Sequence, residues 1–319
     1  MIVWCVVCAV VLLVAYLVLI RDRSSIKLAG KHVLVTGGSS GIGKEIARLA
    51  VLKDANVTIV ARNQERLQQA SHELEAIAKQ SQVINTISLD VSLDYQSVQS
   101  TLLQAIEEGG CGPVDVLINC AGITCPGVFT ELDPSKFTDL YKVNVLGSVQ
   151  PTRALLPSMI QRRWGRVVFV SSQAGQVAIY GYSAYSSSKF ALRGLAEALQ
   201  MEVKPYNILV SVSFPPDTDT PQLQEEMPHR SKIANKIAAT SGVFQPSEIA
   251  NDIIKGVEQG RYMITHGLDG FMVGHLTAGM SPVHHMIHAV PQVMLMGVFR
   301  LISLFYLNQF DRIISSELP

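Results

Sequence analysis

A tyrosine and a lysine four residues apart could carry acid–base chemistry in this chain. Tyr185 and Lys189 lie in the segment Tyr-Ser-Ser-Ser-Lys. If a helix begins at Ser183, this spacing places both side chains on one face, one turn apart. A free tyrosine has a pKa of about 10, and a neighbouring ammonium favours the phenolate and lowers that pKa. The pair could therefore exchange a proton near neutral pH, as general acid–base catalysis requires.

Two serines precede this pair, at the end of an apolar run. The run spans residues 166–170 and is followed by Ser171 and Ser172. A serine hydroxyl at the mouth of a strand could hydrogen-bond the substrate oxygen that Tyr185 protonates. Taken alone, the Tyr/Lys pair is also typical of an ordinary surface helix, so the elements that would position these side chains decide its meaning.

A glycine-rich turn, Gly37–Gly43, lies between a predicted strand at His32–Thr36 and a helical pattern. Strand, glycine turn and helix are the context that a dinucleotide-binding fingerprint needs. Glycines let the backbone approach a pyrophosphate, and the helix N-terminus favours its charge. The spacing is Gly-x-x-x-Gly-x-Gly rather than the usual Gly-x-Gly-x-x-Gly, so the turn alone is also consistent with an ordinary loop.

An arginine follows the second predicted strand, Asn56–Ala61. In NAD-binding folds an acidic residue at this point usually accepts the ribose 2′-hydroxyl, whereas a cation accommodates a 2′-phosphate. Arg62, with Arg66 one helical turn later, therefore predicts NADPH as the cofactor. The alternative is that both arginines are solvated charges on a helix face.

The rest of the chain alternates between predicted strands and helices. Strands are predicted at 83–89, 114–118, 166–170, 208–213 and 262–265, and helices at 65–79, 95–108, 131–149, 184–203 and 246–256. This alternation predicts an α/β, Rossmann-type doubly wound parallel sheet with right-handed crossovers. Ligands bind at the carboxyl ends of such strands, and Asp90, Asn119 and the loop Pro215–Pro221 fall there. A helix cap at Thr220 with Pro221 in the first turn is equally consistent with that loop.

Charge and hydropathy limit the class of protein. Lys+Arg 26 balances Asp+Glu 26, so nothing argues for a nucleic-acid partner. Charged residues are only 16% and mean hydropathy is +0.27, which indicates membrane contact. Cys5 and Cys8 have a Cys-x-x-Cys spacing, but they lie in an apolar run, which favours packing over metal binding. Cys111, Cys120 and Cys125 show no zinc spacing, so no metal site is predicted.

The apolar residues are concentrated at the two ends. Ile2–Ile20 contains no charged residue and is long enough to cross a bilayer core. The basic residues that follow it predict an N-terminal transmembrane helix with the main domain in the cytosol. A cleaved signal peptide is the alternative.

Two apolar stretches, Phe271–Met280 and Val290–Leu307, follow the last predicted strand. They are consistent with spanning helices, a re-entrant hairpin, an interfacial helix, core helices or the wall of a substrate tunnel. Arg300 lies within the second stretch, and an arginine is costly in lipid. The predicted organisation is a membrane anchor at 1–24, a Rossmann domain at 25–268, and a tail at 269–319 that contacts membrane or forms a substrate entry.

These motifs together resemble the short-chain dehydrogenase/reductase family. The matching segments are Thr-Gly-Gly-Ser-Ser-Gly-Ile-Gly at 36–43, Asn-Cys-Ala-Gly at 119–122, Asn144, Ser-Ser at 171–172 and Tyr-Ser-Ser-Ser-Lys at 185–189. The resemblance implies that Tyr185 is the general acid/base and that Lys189 lowers its pKa and holds the nicotinamide ribose. It also implies that a serine polarises the carbonyl and that Asn144 positions a relay water. The family's spacing favours Ser172, and Ser171 stays open.

The same resemblance implies a set of cofactor-binding residues around the strand ends. They are Gly37, Ser39, Ser40, Gly41, Ile42, Gly43, Arg62, Arg66, Asp90, Val91, Asn119, Ala121, Gly122, Tyr185, Lys189, Pro215 and Thr218. One departure is the Pro215-Pro216 pair, where the family usually has Pro-Gly, so this loop is expected to be stiffer.

Segments outside the family motifs, at 170–176, 192–207 and 215–221, resemble a narrower group, the 3-ketodihydrosphingosine reductases. The group implies an NADPH-dependent enzyme of the endoplasmic reticulum membrane whose active site faces the cytosol. It also implies a long-chain amino ketone lipid, 3-ketosphinganine, as substrate and sphinganine as product. A membrane-bound reductase of steroids or retinoids and a cofactor-binding scaffold without turnover are the alternatives. Homo-oligomerisation stays open.

Overall fold

The computed structural model describes residues 25–284 and 289–317. Within them, parallel strands form one sheet in the order β3-β2-β1-β4-β5-β6-β7. The strands are β1 His32–Thr36, β2 Asn56–Ala61, β3 Ile84–Ser88, β4 Val116–Asn119, β5 Gly165–Val170, β6 Ile208–Phe214 and β7 Met263–Thr265. The predicted Rossmann-type parallel sheet is confirmed, whereas the predicted N-terminal anchor lies outside the described residues.

The helices connect these strands and cover both faces of the sheet. In the described ranges they are α1 Gly41–Leu52, α2 Gln64–Glu75, α3 Tyr95–Glu108, α4 Ser135–Leu140, α5 Gly147–Arg162, α6 Ser183–Val203, α7 Pro221–Glu226, α8 Lys232–Ala238, α9 Pro246–Glu258, α10 Gly267–Leu276 and α11 Ala289–Glu317. The expected cap is present, since Thr220 accepts from Leu223 N at 3.2 Å and Pro221 begins α7. This cap fixes the loop after β6 over the carboxyl end of the sheet.

The core lies on both sides of the sheet because successive side chains of a strand point to opposite faces. Val33 and Val35 of β1 are buried with α1, α2 and α9, whereas Leu34 is buried in the second core cluster with α3, α5 and α6. A sheet covered on both faces explains why the central strands β1, β4 and β5 are largely apolar runs without polar alternation. It also explains why short runs such as β1 were predictable.

The winding of the chain reverses at β1, which pairs with both β2 and β4. A crevice opens at such a switch point, outside the carboxyl ends of the strands. The Thr36 hydroxyl at the end of β1 accepts hydrogen bonds from Cys120 N and Ala121 N, each at 3.1 Å. The loop after β4 is thereby held against the glycine turn.

The helical segment after β4 differs from the predicted one, which ran from 131 to 149. It comprises α4, a π-helical turn at Tyr141–Leu146, and α5, which continues to Arg162. Pro151 and Pro157 lie inside α5, although proline usually ends a helix because it lacks an N–H donor. The helix continues here because its inner side is buried against the sheet, and tertiary packing supplies most of the stability of a helix.

The two apolar C-terminal stretches form α10 and α11. The second helix, α11, has 29 residues and is long and apolar enough to cross a membrane by length and composition. None of the residues in its most apolar segment is buried. It packs on α10 and α8, and Lys232 Nζ of α8 lies 3.0 Å from Glu317 Oε2 at its end. The helix is therefore a long apolar element lying beside the open end of the sheet.

Candidate active site

The turn between β1 and α1 brings backbone, rather than side chains, to the crevice. Gly37 has a φ of +69°, and a Cβ there would lie 2.9 Å from Ala121 Cα. A Cβ on Gly43 would lie 2.2 Å from Gly37 O. The turn therefore requires glycine at both positions, and it delivers the N-terminus of α1 to the crevice. Free N–H groups and the helix dipole make that terminus fit a pyrophosphate.

The two serines after β5 have different partners, as strand alternation predicts. Ser171 Oγ donates to Lys189 O at 2.8 Å and is buried. Ser172 Oγ accepts from Ala174 N at 3.1 Å, and it lies close enough to the Tyr185 hydroxyl to lower the pKa of that phenol. The Ser172 hydroxyl donates to Pro215 O at 3.4 Å and lies within reach of Tyr185, whereas the Ser171 hydroxyl ties β5 to α6.

Tyr185 and Lys189 lie one turn apart on α6, with Lys189 Nζ 5.6 Å from the centre of the Tyr185 ring. Burial raises the pKa of Tyr185 above its ordinary value, and Ser172 opposes only part of that rise. Burial also lowers the pKa of Lys189 to about 8. The expectation that Lys189 lowers the pKa of Tyr185 stays a prediction, since burial is the largest influence on the pKa of this phenol. A phenol that keeps its proton at neutral pH is suited to donate it to a ketone oxygen.

Asn144 lies in the π-helical turn and is fully buried. Its Oδ1 accepts from Ile123 N at 2.8 Å, and its Nδ2 donates to Ile123 O and to Ser188 Oγ, each at 3.0 Å. Ser188 in turn donates to Tyr185 O at 2.7 Å. The amide therefore joins the loop after β4 to α6 beside Tyr185, and π-helical turns often occur at such functional positions. Its role in positioning a relay water stays a prediction.

A cavity of about 820 Å³ extends from the glycine turn, past Ser172, Tyr185 and Lys189, to the C-terminal helices. Lys189 Nζ donates to Val170 O at 3.0 Å at its floor. The outer wall on α11 consists of Met296, Arg300, Ser303, Tyr306, Leu307 and Phe310. These residues recur every three or four positions and so share one face of the helix. The apolar tail therefore supplies one wall of this cavity, and its role as the wall of a substrate tunnel stays a prediction.

A smaller cavity, of about 230 Å³, lies beside the N-terminus of α1, and its lining includes Ser39, Ser40, Lys44 and Arg66. Hydroxyls and cations are the groups that bind a phosphate. Arg62 lies at the end of β2, where its Nη1 is 3.7 Å from Asp90 Oδ2. Asp90 also accepts from Ser92 N at 2.9 Å and Ser92 Oγ at 2.6 Å. The carboxylate thus closes the end of β3 and orients Arg62.

A family model described as short chain dehydrogenase matches residues 31–231. This chain belongs to the short-chain dehydrogenase family. A 3-dehydrosphinganine reductase of Danio rerio is 51% identical over 290 residues, which cover 91% of this chain and 87% of that protein. A 3-ketodihydrosphingosine reductase of Bos taurus is 51% identical over 288 residues, which cover 90% of this chain and 86% of that protein. The resemblance inferred from the motifs, to the family and to the narrower group of reductases, is confirmed.

Solved structures of other proteins carry the same fold. An actinorhodin polyketide ketoreductase variant with NADPH is 27% identical, with a TM-score of 0.65, and the match covers 73% of this chain and 92% of that one. ElxO with NADP bound is 27% identical, with a TM-score of 0.61, over 70% of this chain and 90% of that one. The short-chain dehydrogenase fold and these neighbours support a nicotinamide cofactor for this chain.

Most of the predicted site residues of this short-chain dehydrogenase meet in the main cavity. Those lining it are Gly37, Ser40, Gly41, Ile42, Gly43, Ala121, Gly122, Ser171, Ser172, Tyr185, Lys189, Pro215 and Thr218. Ser39 and Arg66 line the smaller cavity. The linings of both cavities lack Arg62, Asp90, Val91, Asn119 and Asn144. The Asn119 side chain is 1% exposed and donates to Thr152 Oγ1 at 2.9 Å, so it faces α5 rather than the crevice.

Sequence reasoning missed a buried ionic network in the same cavity. It consists of Tyr182, Asp217, Glu226 and Arg230. Glu226 and Arg230 are spaced i,i+4, which is the pattern of an ordinary surface pair. Asp217 lies in the loop 215–221, for which the sequence predicts a ligand-binding position and a helix cap but no ionic partner. The proximity of Tyr182 to Tyr185, one helical turn away, was the signal that could have pointed to this network.

A serine, a histidine and an aspartate are hydrogen-bonded in a row, as in a hydrolytic triad, but the serine is not accessible to a substrate. Ser213 Oγ is 2.9 Å from His266 Nε2, and His266 Nδ1 is 3.1 Å from Asp252 Oδ2. Ser213 is 0% exposed and is absent from the lining of both described cavities. A serine nucleophile must reach its substrate, so this hydrogen-bonded chain joins β6 to α9 and carries no chemistry.

Proposed function

We propose that this short-chain dehydrogenase reduces 3-ketosphinganine to sphinganine with NADPH. The observation that carries the proposal is the position of Ser172, Tyr185 and Lys189 at the floor of a cavity walled by the apolar helix α11. A polar reaction centre and an apolar wall match a substrate with a small polar head and a long alkyl chain. The names of the relatives at about half identity support the same substrate.

The residues of the chain donate and return the proton that the reaction consumes. The bound nicotinamide supplies the hydride for the ketone carbon. As that carbon is reduced, Tyr185 donates its phenolic proton to the oxygen, and Ser172 hydrogen-bonds the same oxygen as its charge develops. The carbonyl becomes a secondary alcohol and Tyr185 a phenolate. Lys189, next to it on α6, stabilises that phenolate and returns a proton to it.

The preference for NADPH over NADH is supported by the cations around the small cavity. Lys44 and Arg66 line it together with two hydroxyls, and Arg62 stands nearby at the end of β2. A 2′-phosphate is recognised by cations at this point of the fold, whereas a 2′-hydroxyl requires an acidic acceptor. The acidic residues close by are already paired. Asp90 is paired with Arg62 and Ser92, and Glu73, which lines the small cavity, is paired with Lys44 at 2.8 Å.

A lipid substrate agrees with the outer face of α11. Met294, Val298, Leu301 and Phe305 are exposed on the side opposite the cavity wall, and Phe305 is 81% exposed. We place this face in a membrane surface, so that the substrate chain enters from lipid. Arg300 then faces the cavity and avoids the cost of an arginine in hydrocarbon. The membrane is proposed to be that of the endoplasmic reticulum, with the catalytic domain in the cytosol.

The test is lipid product analysis of the full-length protein in detergent micelles. Incubation with NADPH and 3-ketosphinganine is expected to yield sphinganine, detected by mass spectrometry, together with consumption of one NADPH per product. Tyr185→Phe serves as the matched inactive control. Turnover of a steroid or retinoid ketone without turnover of the amino ketone would overturn the substrate. Cofactor binding without any turnover would favour the scaffold alternative.

A further inference from the structure

Four side chains form a buried network on the cavity wall next to the general acid. Arg230 lies at its centre, with Nη1 2.5 Å from Asp217 Oδ2, Nη2 2.9 Å from Asp217 Oδ1 and Nε 2.6 Å from Glu226 Oε1. The Tyr182 hydroxyl also donates to Glu226 Oε1. The side chains of Arg230 and Glu226 are only 5% and 7% exposed. A charged group held out of water in this way needs hydrogen-bond or ionic partners. The donors to each carboxylate oxygen therefore show which oxygen is left for a ligand.

The oxygens of the two carboxylates are used unequally. Both oxygens of Asp217 accept from Arg230 in a bidentate pair. Glu226 accepts from Tyr182 and Arg230 through Oε1 alone, and among the described residues none donates to its Oε2. Glu226 lines the cavity, so a buried carboxylate presents an acceptor oxygen to the space in which the substrate binds.

The charges of the network do not cancel. Two carboxylates face one guanidinium, which leaves about one negative charge at this wall when both acids are ionised. The other charged residues in the cavity lining are Lys189 at the floor and Asp269 and Arg300 on the outer helices. Lys189 donates to Val170 O and follows Tyr185 in the sequence, whereas Tyr182, which bonds Glu226, precedes it. The wall at Glu226 is therefore the part of the cavity near Tyr185 that favours a cation.

The network is placed beside the reacting atoms. Tyr182 is the N-cap residue of α6 and lies one turn before Tyr185, with ring centres 6.0 Å apart. Glu226 is bonded to the hydroxyl of Tyr182, so its carboxylate lies on the same wall as the acid that protonates the ketone. In 3-ketosphinganine the amine sits on the carbon next to the ketone, and such an amine is largely cationic at neutral pH. Cation and carbonyl must therefore bind close together.

We infer that Glu226 binds the substrate ammonium through Oε2 and that Asp217 and Arg230 hold the carboxylate in place. This inference rests on the proposed function and names the part of the site that recognises the amino group. Glu226 contacts the substrate and sets specificity, whereas Arg230 and Asp217 are positioning residues. An analogue without the ammonium would leave the buried carboxylate of Glu226 unpaired, so the site should discriminate strongly against that analogue.

The experiment compares two ketones that differ only in the amine. One is 3-ketosphinganine and the other is the same 1-hydroxy-3-ketone without the amino group. The wild-type protein, full length and in detergent, is expected to prefer the amino ketone by at least about tenfold in kcat/KM, in line with the discrimination of a hydrogen-bonding pocket. Equal use of the two ketones by the wild type would overturn the inference without any variant. Turnover of neither ketone would instead overturn the proposed function.

Glu226→Gln is the decisive variant, because it keeps the size and the acceptor oxygen for Tyr182 and Arg230 but removes the charge. Its kcat/KM is expected to fall about tenfold to a hundredfold for the amino ketone and less than about threefold for the amine-free ketone. The matched control is Glu225→Gln, which changes the exposed neighbouring carboxylate on α7 and should change neither value. Equal losses on both ketones would show a structural role and overturn the inference. If Glu226→Gln does not fold, Glu226→Asp replaces it. In that variant kcat/KM for the amino ketone must fall relative to kcat/KM for the amine-free ketone.

Discussion

The cofactor half of the cleft and the substrate half are built in different ways. The cofactor half, from β1 to the loop after β4, is defined by backbone: a positive φ at Gly37, its close approach to Ala121, and the N-terminus of α1. The substrate half, from α7 to α11, is defined by side chains that come from distant parts of the sequence. The first requires particular residues at fixed spacing, whereas the second requires only an overall shape, one charge and an apolar wall.

The proposed catalytic residues lie where the two halves meet, so a substitution there tests both halves at once. Tyr185→Phe removes the acid and keeps the ring, so turnover should fall about 10²–10⁴-fold, the largest effect expected here. NADPH binding should persist, because the cofactor half is untouched. Stopped-flow turnover and fluorescence titration with NADPH measure the two quantities. Near-normal turnover would remove Tyr185 from the mechanism, and lost cofactor binding would mean that the halves are not separable.

The difference between the halves also explains what could be predicted from the sequence. The ends of β1, β2 and α3 were predicted to the residue, because apolar runs and caps such as Asp94 are local signals. The cofactor turn was predictable for the same reason. The network of Glu226, Arg230 and Asp217 was not, because its meaning depends on a fold that brings α7 and the loop after β6 beside α6. Likewise, periodicity could not decide which face of α11 lines a cavity.

The cofactor half can be tested alone through the small cavity. Arg66→Ala removes one of the cations that line it, and a charge-assisted hydrogen bond is worth about 1.5–3 kcal/mol. The ratio of kcat/KM for NADPH over NADH should fall roughly tenfold to a hundredfold. Arg48→Ala, on the same side of the sheet but paired with Glu45 outside both cavities, is the control and should leave the ratio unchanged. An unchanged ratio in Arg66→Ala would remove Arg66 from phosphate recognition and leave that role to Lys44 and Arg62.

The stability of the fold offers a second way to sharpen the comparison, since Lys189 is a buried charge at the shared floor. Burial lowers its pKa from 10.5 to about 8, so the charged form is disfavoured in the folded state. The resulting loss of stability is complete below pH 8 and disappears as the pH rises from about 8 to 10.5. Lys189→Met, which also loses the hydrogen bond to Val170 O, should therefore stabilise the protein by about 2 kcal/mol at pH 7.

Denaturant unfolding at several pH values measures this effect. The gain from Lys189→Met should shrink toward pH 10, while activity is lost at every pH. The wild-type kcat/KM for reduction should also decline above pH 8, as the ammonium that stabilises the Tyr185 phenolate loses its proton. A destabilised variant, or a gain that does not change with pH, would show that the hydrogen bond of Lys189 outweighs the burial of its charge.

The smallest expected effect is the one that separates the substrate half from the cofactor half most clearly. Leu307 lies on the cavity face of α11, whereas Leu301 lies on the outer face and is 71% exposed. Each buried methylene contributes about 0.8 kcal/mol. Leu307→Asn, by displacing one or two methylenes of the substrate chain, should therefore lower kcat/KM about fourfold to fifteenfold for a long-chain 3-keto amine. A short-chain 3-keto amine, which does not reach α11, should be unaffected, and so should the KM for NADPH. Leu301→Asn, assayed in the same detergent micelles so that membrane binding plays no part, should change neither substrate. If Leu307→Asn lowers kcat/KM equally for long and short substrates, α11 acts by holding the fold and not by contacting the substrate chain. The proposed contact between α11 and the substrate would then be wrong, whereas the proposed roles of Ser172, Tyr185 and Lys189 would stand.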